Sequence, residues 1–456
     1  MNLIKITDSI FREYDIRGIW ETDITEDVAY TLGRSFASYI DSMGIHDVVV
    51  GHDNRISSPV IHDALIKGLV ESGATVTDLG LVTTPMYYYA KKKYTITTGI
   101  MITASHNPKE YNGFKISFNL DGNACGEAIT KFRDFTNSLN FITKEGSVSI
   151  LDIEAEYLNE IKKSIQLGDR KVRVVFDCGN GTGSIIIKKI LDMFDIEYEL
   201  LYCDSDPNFP NHHPDPCVRE NMRDLSNKVR ELGYDLGIGI DGDADRVGLV
   251  DQNGEIIGSD LIMLIVYRSI ASTMKNKKAV YDVKCSKTLI DGLNELGLET
   301  IMARTGNSYM NLKINQEDFD FGGEYSGHIW FRDKWPGFDD GIYAGMRLVE
   351  IVSNTTKQTS ELLDNINHYY STEELKFHAP DEIKFGVVDK VKEYCMNKNY
   401  QMITVDGIRV EFEDSWALVR CSNTGPNITA RFEAKTESRL QELQEEFTTL
   451  LNEYLK

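Results

Sequence analysis

The chain has 456 residues, 41% of them hydrophobic and 26% charged, with a net charge of −22. That length allows about three or four domains, and the composition is ordinary for a soluble globular protein. The acidic balance argues against nucleic acid and anionic membrane surfaces as partners. An anionic ligand would have to be held by local cations, oriented N–H groups or a metal.

Seven cysteines are scattered singly, with no CxxC pair. A disulfide framework or structural zinc is not expected, and a reducing compartment fits better. The opening stretch MNLIKITDSIFREYDIRG lacks the apolar core of a signal peptide. The apolar run Leu261–Tyr267 is far too short to cross a bilayer. The expectation is a cytoplasmic protein with no membrane partner.

In chain order, residues 46–55 give a short β-rich run, and residues 57–73 a helix capped by Ser57 or Ser58, with Pro59 in its first turn and Gly73 as its stop. Residues 74–80 form the next strand, which makes a β-α-β unit and a parallel sheet. The pattern returns over 171–194 as strand, Gly-rich loop and helix, and over 278–306 as strand, helix, strand. Three regions thus carry a similar unit, a repeat at domain scale. Residues 406–434 read as a β-meander and 436–456 as an amphipathic helix capped by Thr436 or Ser438, a separate α+β domain.

Four loops could carry chemistry. In the first, the strand TITTGIMIT delivers Ser105 into the Pro-fixed stretch ASHNP. Strand ends are where α/β sheets bind ligands, but Ser, Asn and Pro are also common turn residues. Alone, this loop reads first as a turn.

In the second, DGDADR, the residues Asp241, Asp243 and Asp245 alternate after an apolar strand. On an extended chain, alternation places three carboxylates on one side. Their mutual repulsion calls for a cation, and oxygen ligands favour Mg²⁺, Ca²⁺ or Mn²⁺. An EF-hand is excluded, because its sixth and twelfth positions would be Arg246 and Gln252. Metal binding is the better reading over an acidic β-turn.

In the third, GEYSGH, the residues Glu324, Ser326 and His328 alternate. A carboxylate there can accept two hydroxyl hydrogen bonds from a polyol, and a polar turn is the alternative. In the fourth, RCSNTGP, Arg420, Ser422, Asn423 and Thr424 form a donor-rich turn able to cradle phosphate. A plain hairpin loop is equally good on that stretch alone. Together the four describe phosphoryl transfer on a phosphosugar.

At this point TASHNP, DGDADR, GEYSGH and RCSNTGP, with FREYDIRG, NFPNHHPDP and WPGFDDGIY, resemble the signature segments of the α-D-phosphohexomutases along essentially the whole chain. FREYDIRG, NFPNHHPDP and the SNT form of the last loop are most similar to the bacterial phosphomannomutase/phosphoglucomutase branch. The resemblance implies three similar mixed α/β domains plus a C-terminal α+β domain around a central cleft, expected here at 1–150, 151–255, 256–368 and 369–456.

It implies reversible phosphoryl transfer between the 1- and 6-positions of mannose or glucose phosphate, through phosphoserine and a hexose 1,6-bisphosphate. Ser105 matches the phosphoserine; Asp241, Asp243 and Asp245, with the Ser105 oxygen, match the Mg²⁺ ligands. Lys115, Arg246 and His328 match basic residues at the reacting centre, with Lys115 or His328 as general base. Tyr14, Arg17, Lys284, Glu324 and Ser326 match cleft and sugar contacts, and Arg420, Ser422, Asn423 and Thr424 the phosphate grip. Asn307 departs from relatives that tend to carry His there, and cannot act as an acid or base near neutral pH. Rival readings are a phosphoglucosamine mutase, a Mg²⁺-dependent phosphosugar phosphatase and a non-catalytic phosphosugar-binding protein. The chain is expected to be a monomer or dimer.

Overall fold

The structure, a computed structural model, describes residues 1–422 and 425–456. Four sheets follow one another along the chain. The first contains β1 (Ile16–Ile19), β2 (Asp47–His52), β3 (Thr75–Leu81), β4 (Gly99–Ile102), β5 (Tyr111–Ser117) and β6 (Ser147–Ile150). The second contains β7 (Arg173–Asp177), β8 (Glu197–Leu201), β9 (Leu236–Ile240), β10 (Val247–Asp251) and β11 (Ile256–Ile257). The third contains β12 (Lys278–Asp282), β13 (Glu299–Ala303), β14 (Phe321–Gly323) and β15 (Ile329–Phe331).

These three share one topology. In each, a central strand pairs in parallel with two neighbours, and the second neighbour turns back into an antiparallel strand. The orders are β3-β2-β4-β5, β8-β7-β9-β10 and β13-β12-β14-β15. The repeat is therefore real, and it makes three loops equivalent: β4–β5 carries Ser105, β9–β10 the aspartates, and β14–β15 the segment from Glu324 to His328.

The central strands explain the pattern. Parallel strands covered by helices on both faces bury every side chain and read as continuous apolar runs. Val48, Val49 and Val50 of β2 are fully buried.

The fourth sheet is antiparallel throughout, with β16 (Tyr370–Ser371), β17 (Leu375–His378), β18 (Gln401–Ile403), β19 (Ile408–Glu411), β20 (Ser415–Cys421) and β21 (Asn427–Ala434). The β20–β21 connection contains the fourth loop. The closing helix Glu437–Tyr454 is capped by Thr436, whose hydroxyl accepts from Arg439 N. Ser57 and Ser58 behave differently from a helix cap: their hydroxyls accept from Asn112 Nδ2, at 2.8 and 3.0 Å. The helix after the Gly-rich loop is also shorter than its sequence suggests, a 3₁₀ turn Thr182–Ile185 followed by Ile187–Leu191.

One apolar core joins the first three sheets, running from Met101 and Tyr87 through Phe176 and Ile238 to Phe321 and Ile329. The fourth sheet has its own core around Val410, Phe432 and Phe447. Its attachment to the third joins a small apolar cluster, Val283 and Met302 against Trp416 and Leu418, to polar contacts. Arg409 Nη1 donates to the Val283 and Cys285 carbonyls at 2.7 Å each, and Arg431 stacks 3.9 Å from the Tyr325 ring centre. Among the described residues no helix is long and apolar enough to cross a membrane.

Candidate active site

The three equivalent loops meet. Val247 N donates to the Gly327 carbonyl at 3.1 Å, and Arg246 and His328 form a β-bridge, so the second and third loops are stitched by backbone. Thr84 N donates to the Asp243 carbonyl at 3.0 Å, which ties the second loop to the first domain.

The aspartates do not lie on an extended chain. Asp241 Oδ1 accepts the backbone N–H groups of Asp245 and Arg246, at 3.0 and 3.1 Å, and Ala244 has φ +69°. The side chain thus curls the segment into a turn, as Asp readily does. All three carboxylates are fully buried, with ligand atoms within 4.8 Å of one another. Burial first, then Asp245 and Asp243, push Asp241 well above the usual carboxylate range. Burial also acts on Asp243, but the charge and hydrogen bond of Lys115 hold it below that range.

Ser105 stands at the edge of this cluster. Its φ is +50°, a left-handed conformation that serine rarely adopts. Its hydroxyl donates to Asp241 Oδ2 at 3.0 Å and lies 3.3 Å from His106 Nδ1. Thr103 supports it, accepting from Ser105 N at 2.9 Å and donating to Asp243 Oδ2 at 3.2 Å.

The cations are committed. Lys115 Nζ reaches Asp243 Oδ2 at 2.7 Å and Asp245 Oδ2 at 2.5 Å. Burial lowers its proton affinity, but these two carboxylates outweigh burial and raise it well above the ordinary lysine value. Arg246 Nε donates to His328 Nε2 at 3.0 Å, and His328 Nδ1 donates to Asp339 Oδ2 at 2.8 Å. Asn307 also donates to Asp339. Both ring nitrogens of His328 are engaged, so for His328 or Lys115 to accept a substrate proton, a present partner must be given up.

Around the centre, Arg17 pairs with Asp15 at 2.5 Å and donates to Asn107 Oδ1 at 2.8 Å. Glu324 Oε1 accepts from Gly306 N at 2.6 Å, and Ser326 donates to its Oε2 at 3.2 Å. Burial, then Asp282, raises the Glu324 pKa. The Tyr14 ring packs on the Gly306 backbone, and burial pushes its hydroxyl up to about 12. Lys284 faces Glu374 at 3.5 Å. Arg420 Nε donates to Asp406 Oδ2 at 2.9 Å, while its Nη2 is buried with no partner among the described residues.

Two further atoms bear on a metal. Asp243 Oδ1 and Asp245 Oδ1 are buried and have no hydrogen-bond partner among the described residues. Orphaned carboxylate oxygens beside two other buried carboxylates are costly unless a cation reaches them. An all-oxygen donor set suits a hard divalent ion, so the residues fit such a metal.

Comparison with known proteins decides the family. Residues 8–141, 155–254 and 258–369 match the models for phosphoglucomutase/phosphomannomutase alpha/beta/alpha domains I, II and III, and residues 374–450 match its C-terminal domain. The chain belongs to the phosphoglucomutase/phosphomannomutase family. It is an enzyme of the phosphohexomutase type.

Relatives within the family align from end to end. The phosphomannomutase/phosphoglucomutase of Pseudomonas putida is 38% identical over 446 residues, covering 98% of this chain and 96% of that protein. A phosphoglucomutase of Neisseria gonorrhoeae is 37% identical over 455 residues, covering 98% of each. The crystal structure of a family protein from Burkholderia thailandensis superposes with a TM-score of 0.90 at 34% identity, covering 98% of each chain.

In this phosphohexomutase the structure gathers Ser105, Lys115, Arg246, His328 and the three aspartates into one cluster, with Glu324 and Ser326 continuous with it. Ser422 lies at the end of β20, accepting from Lys384 Nζ through its carbonyl at 2.9 Å. Asn423 and Thr424 lie outside the described residues. Sequence reasoning did not single out Arg55, Asp339, Asp406 or Lys384, which hold the loops from behind. Arg55 follows the C-terminal end of β2, the central strand of its sheet, and that strand-end position was an available signal.

Proposed function

We propose that this enzyme interconverts the 1- and 6-phosphates of hexoses, acting on mannose and glucose phosphates, with Ser105 as the carrier of the phosphoryl group. Support comes from the buried contact of Ser105 Oγ with Asp241 Oδ2, at 3.0 Å, with Arg246 Nε 3.7 Å from the same oxygen. The names of its relatives in Pseudomonas and Neisseria point to the same sugars.

In this reading phospho-Ser105 gives its group to the free hydroxyl of a hexose 1-phosphate, forming a hexose 1,6-bisphosphate. The bisphosphate turns over in the cleft, Ser105 accepts the phosphoryl group from the other end, and a hexose 6-phosphate leaves. Arg420 and Ser422, with Asn423 and Thr424, hold the phosphate that is not reacting. Glu324 and Ser326 bind sugar hydroxyls, with Tyr14, Arg17 and Lys284 lining the approach. Arg246 offsets charge growing on the transferring group.

Asp241, Asp243 and Asp245, with the Ser105 oxygen, would hold Mg²⁺. When bound, that ion supplies Lewis-acid charge stabilisation at the phosphoryl oxygens. A general base must take the hydroxyl proton, and Lys115 or His328 serves once released from its present partner. The all-free cysteines fit a cytoplasmic enzyme, and the units 1–150, 151–255, 256–368 and 369–456 are its domains.

Ser105→Ala tests the reading. It is expected to abolish hexose 1,6-bisphosphate-dependent mutase turnover while the fold survives; near-normal turnover would defeat the assignment. Following inorganic phosphate in the same assay separates a phosphatase, which releases it, from a mutase, which releases almost none. Parallel assays on glucosamine 1-phosphate test the sister activity.

A further inference from the structure

The phosphoryl carrier must keep one conformation while its charge changes and its loop faces a cleft. Ser105 has φ +50°, outside the usual range for serine, so something must hold it there. The loop's own hydrogen bonds are few, chiefly Asn107 N to the Ala104 carbonyl at 2.9 Å and Tyr111 N to the Pro108 carbonyl at 3.0 Å.

Beneath the loop lies Arg55, 1% exposed. Its Nη2 donates to the Ser105 carbonyl at 2.8 Å and the Asn107 carbonyl at 2.7 Å. Its Nη1 donates to the Pro108 carbonyl at 2.7 Å and the Tyr111 carbonyl at 3.0 Å. Nε donates to Asp53 Oδ2 at 3.2 Å. A guanidinium has five N–H donors, and here every one is placed, four of them on backbone carbonyls of the serine loop.

The anchor is itself fixed. Asp53 Oδ1 accepts from Arg55 N at 3.0 Å and from Ser58 Oγ at 2.5 Å. Ser58 in turn accepts from Asn112, at the far end of the loop. The Phe209 ring covers the guanidinium 5.5 Å away.

On the reading of Ser105 as phosphoryl carrier, on which this inference rests, we propose that Arg55 is the positioning residue of the reaction. It clamps the four carbonyls of the 105–111 loop and so holds the Ser105 hydroxyl in line with Asp241. Arg55 touches no substrate and acts only through the backbone of the loop. Lysine cannot replace it, because an ammonium offers three donors from one point and has no planar fork.

The test compares the unmodified enzyme with Arg55→Lys, using folded protein checked by thermal unfolding. Two quantities are read: steady-state kcat and KM with hexose 1-phosphate, and the single-turnover rate at which hexose 1,6-bisphosphate labels Ser105. R55K is expected to lose roughly 100-fold in kcat and in labelling rate, the scale of an ångström-sized misplacement, with KM within about threefold. A structural role alone would reduce the folded fraction and leave kcat per folded molecule unchanged, and that result would overturn the clamp.

Should R55K fail to fold, Asp53→Asn keeps the arginine and loosens its anchor. A roughly tenfold fall in labelling rate, with KM unchanged, is expected, and a folded D53N labelling at the normal rate would overturn the proposal. An unmodified enzyme that neither takes label on Ser105 nor turns over would overturn the functional reading and the clamp with it. An active unmodified enzyme with an equally active R55K sinks the clamp alone.

Discussion

Gly242 packs directly beneath Ser105: a Cβ on residue 242 would lie 2.5 Å from the Ser105 carbonyl oxygen. The aspartate turn and the serine loop are therefore in register through bare backbone. Gly242→Ala forces one to retreat from the other, because the obstacle is a main-chain atom. Turnover is expected to fall about 100-fold by misplacement of Ser105 from Asp241, with a smaller change in thermal unfolding temperature. Unchanged kcat in a folded G242A enzyme would show that the register does not matter.

The orphaned oxygens of Asp243 and Asp245 predict a stability effect of metal that needs no substrate. An ion bound only by the folded state stabilises it by about 2.7 kcal/mol at a concentration one hundred times its Kd. Titrating Mg²⁺ into chelator-treated protein is expected to raise the unfolding temperature, and Asp243→Asn to remove most of that rise. A thermal profile indifferent to Mg²⁺ in the unmodified protein would exclude these carboxylates as its site.

Much of this was legible in the residues, and what was not has physical reasons. The α/β repeat shows because central parallel strands such as β2 must be apolar on both faces. The candidate loops show because Ser, Asp, Glu and Arg gather after apolar runs. The turn at Asp241 does not show: residue types suggest alternation on an extended chain, whereas the Asp241 carboxylate accepts hydrogen bonds from two backbone N–H groups and curls it. Nor does Arg55 show, since carbonyls present no sequence signature for it to match. Asp339 fixes the His328 ring from eleven residues away through the fold, and spacing does not reveal that.

Lys91 supplies a pH prediction away from the cleft. Its ammonium is buried and donates to Ser117 Oγ at 2.5 Å and the Asn119 carbonyl at 3.0 Å, both uncharged. Burial, then the charge of Lys92, lowers its pKa from 10.5 to about 7. A folded pKa below the unfolded one means that the unfolded chain holds the extra proton between about pH 7 and 10.5. Stability contributed by this group therefore rises with pH across that window, at no more than about 1.4 kcal/mol per pH unit, and is flat below it. Lys91→Met is expected to be more stable than the parent at pH 7 and to lose part of the slope. Parallel slopes from urea unfolding at pH 7 and pH 9 would refute a buried, weakly basic Lys91.

One carboxylate joins the proposed phosphate grip to the third domain. Asp406 Oδ2 accepts from Arg420 Nε at 2.9 Å within the fourth sheet's domain and from Thr305 N at 3.1 Å across the boundary. Arg420 is the proposed grip on the phosphate that is not reacting, so Asp406 aims that grip and ties it to the third domain. The boundary is held by other contacts too, Arg409 on the Val283 and Cys285 carbonyls and Lys287 N on Glu433 Oε1 at 2.7 Å, so the loss of Asp406 acts on the grip rather than on the docking of the domain. Asp406→Ala removes a charge-assisted bond of about 1.5–3 kcal/mol. It is expected to raise KM for the hexose phosphate about tenfold, with kcat within about threefold and the thermal unfolding temperature little changed. A folded D406A enzyme with unchanged KM would mean that Arg420 needs no such partner.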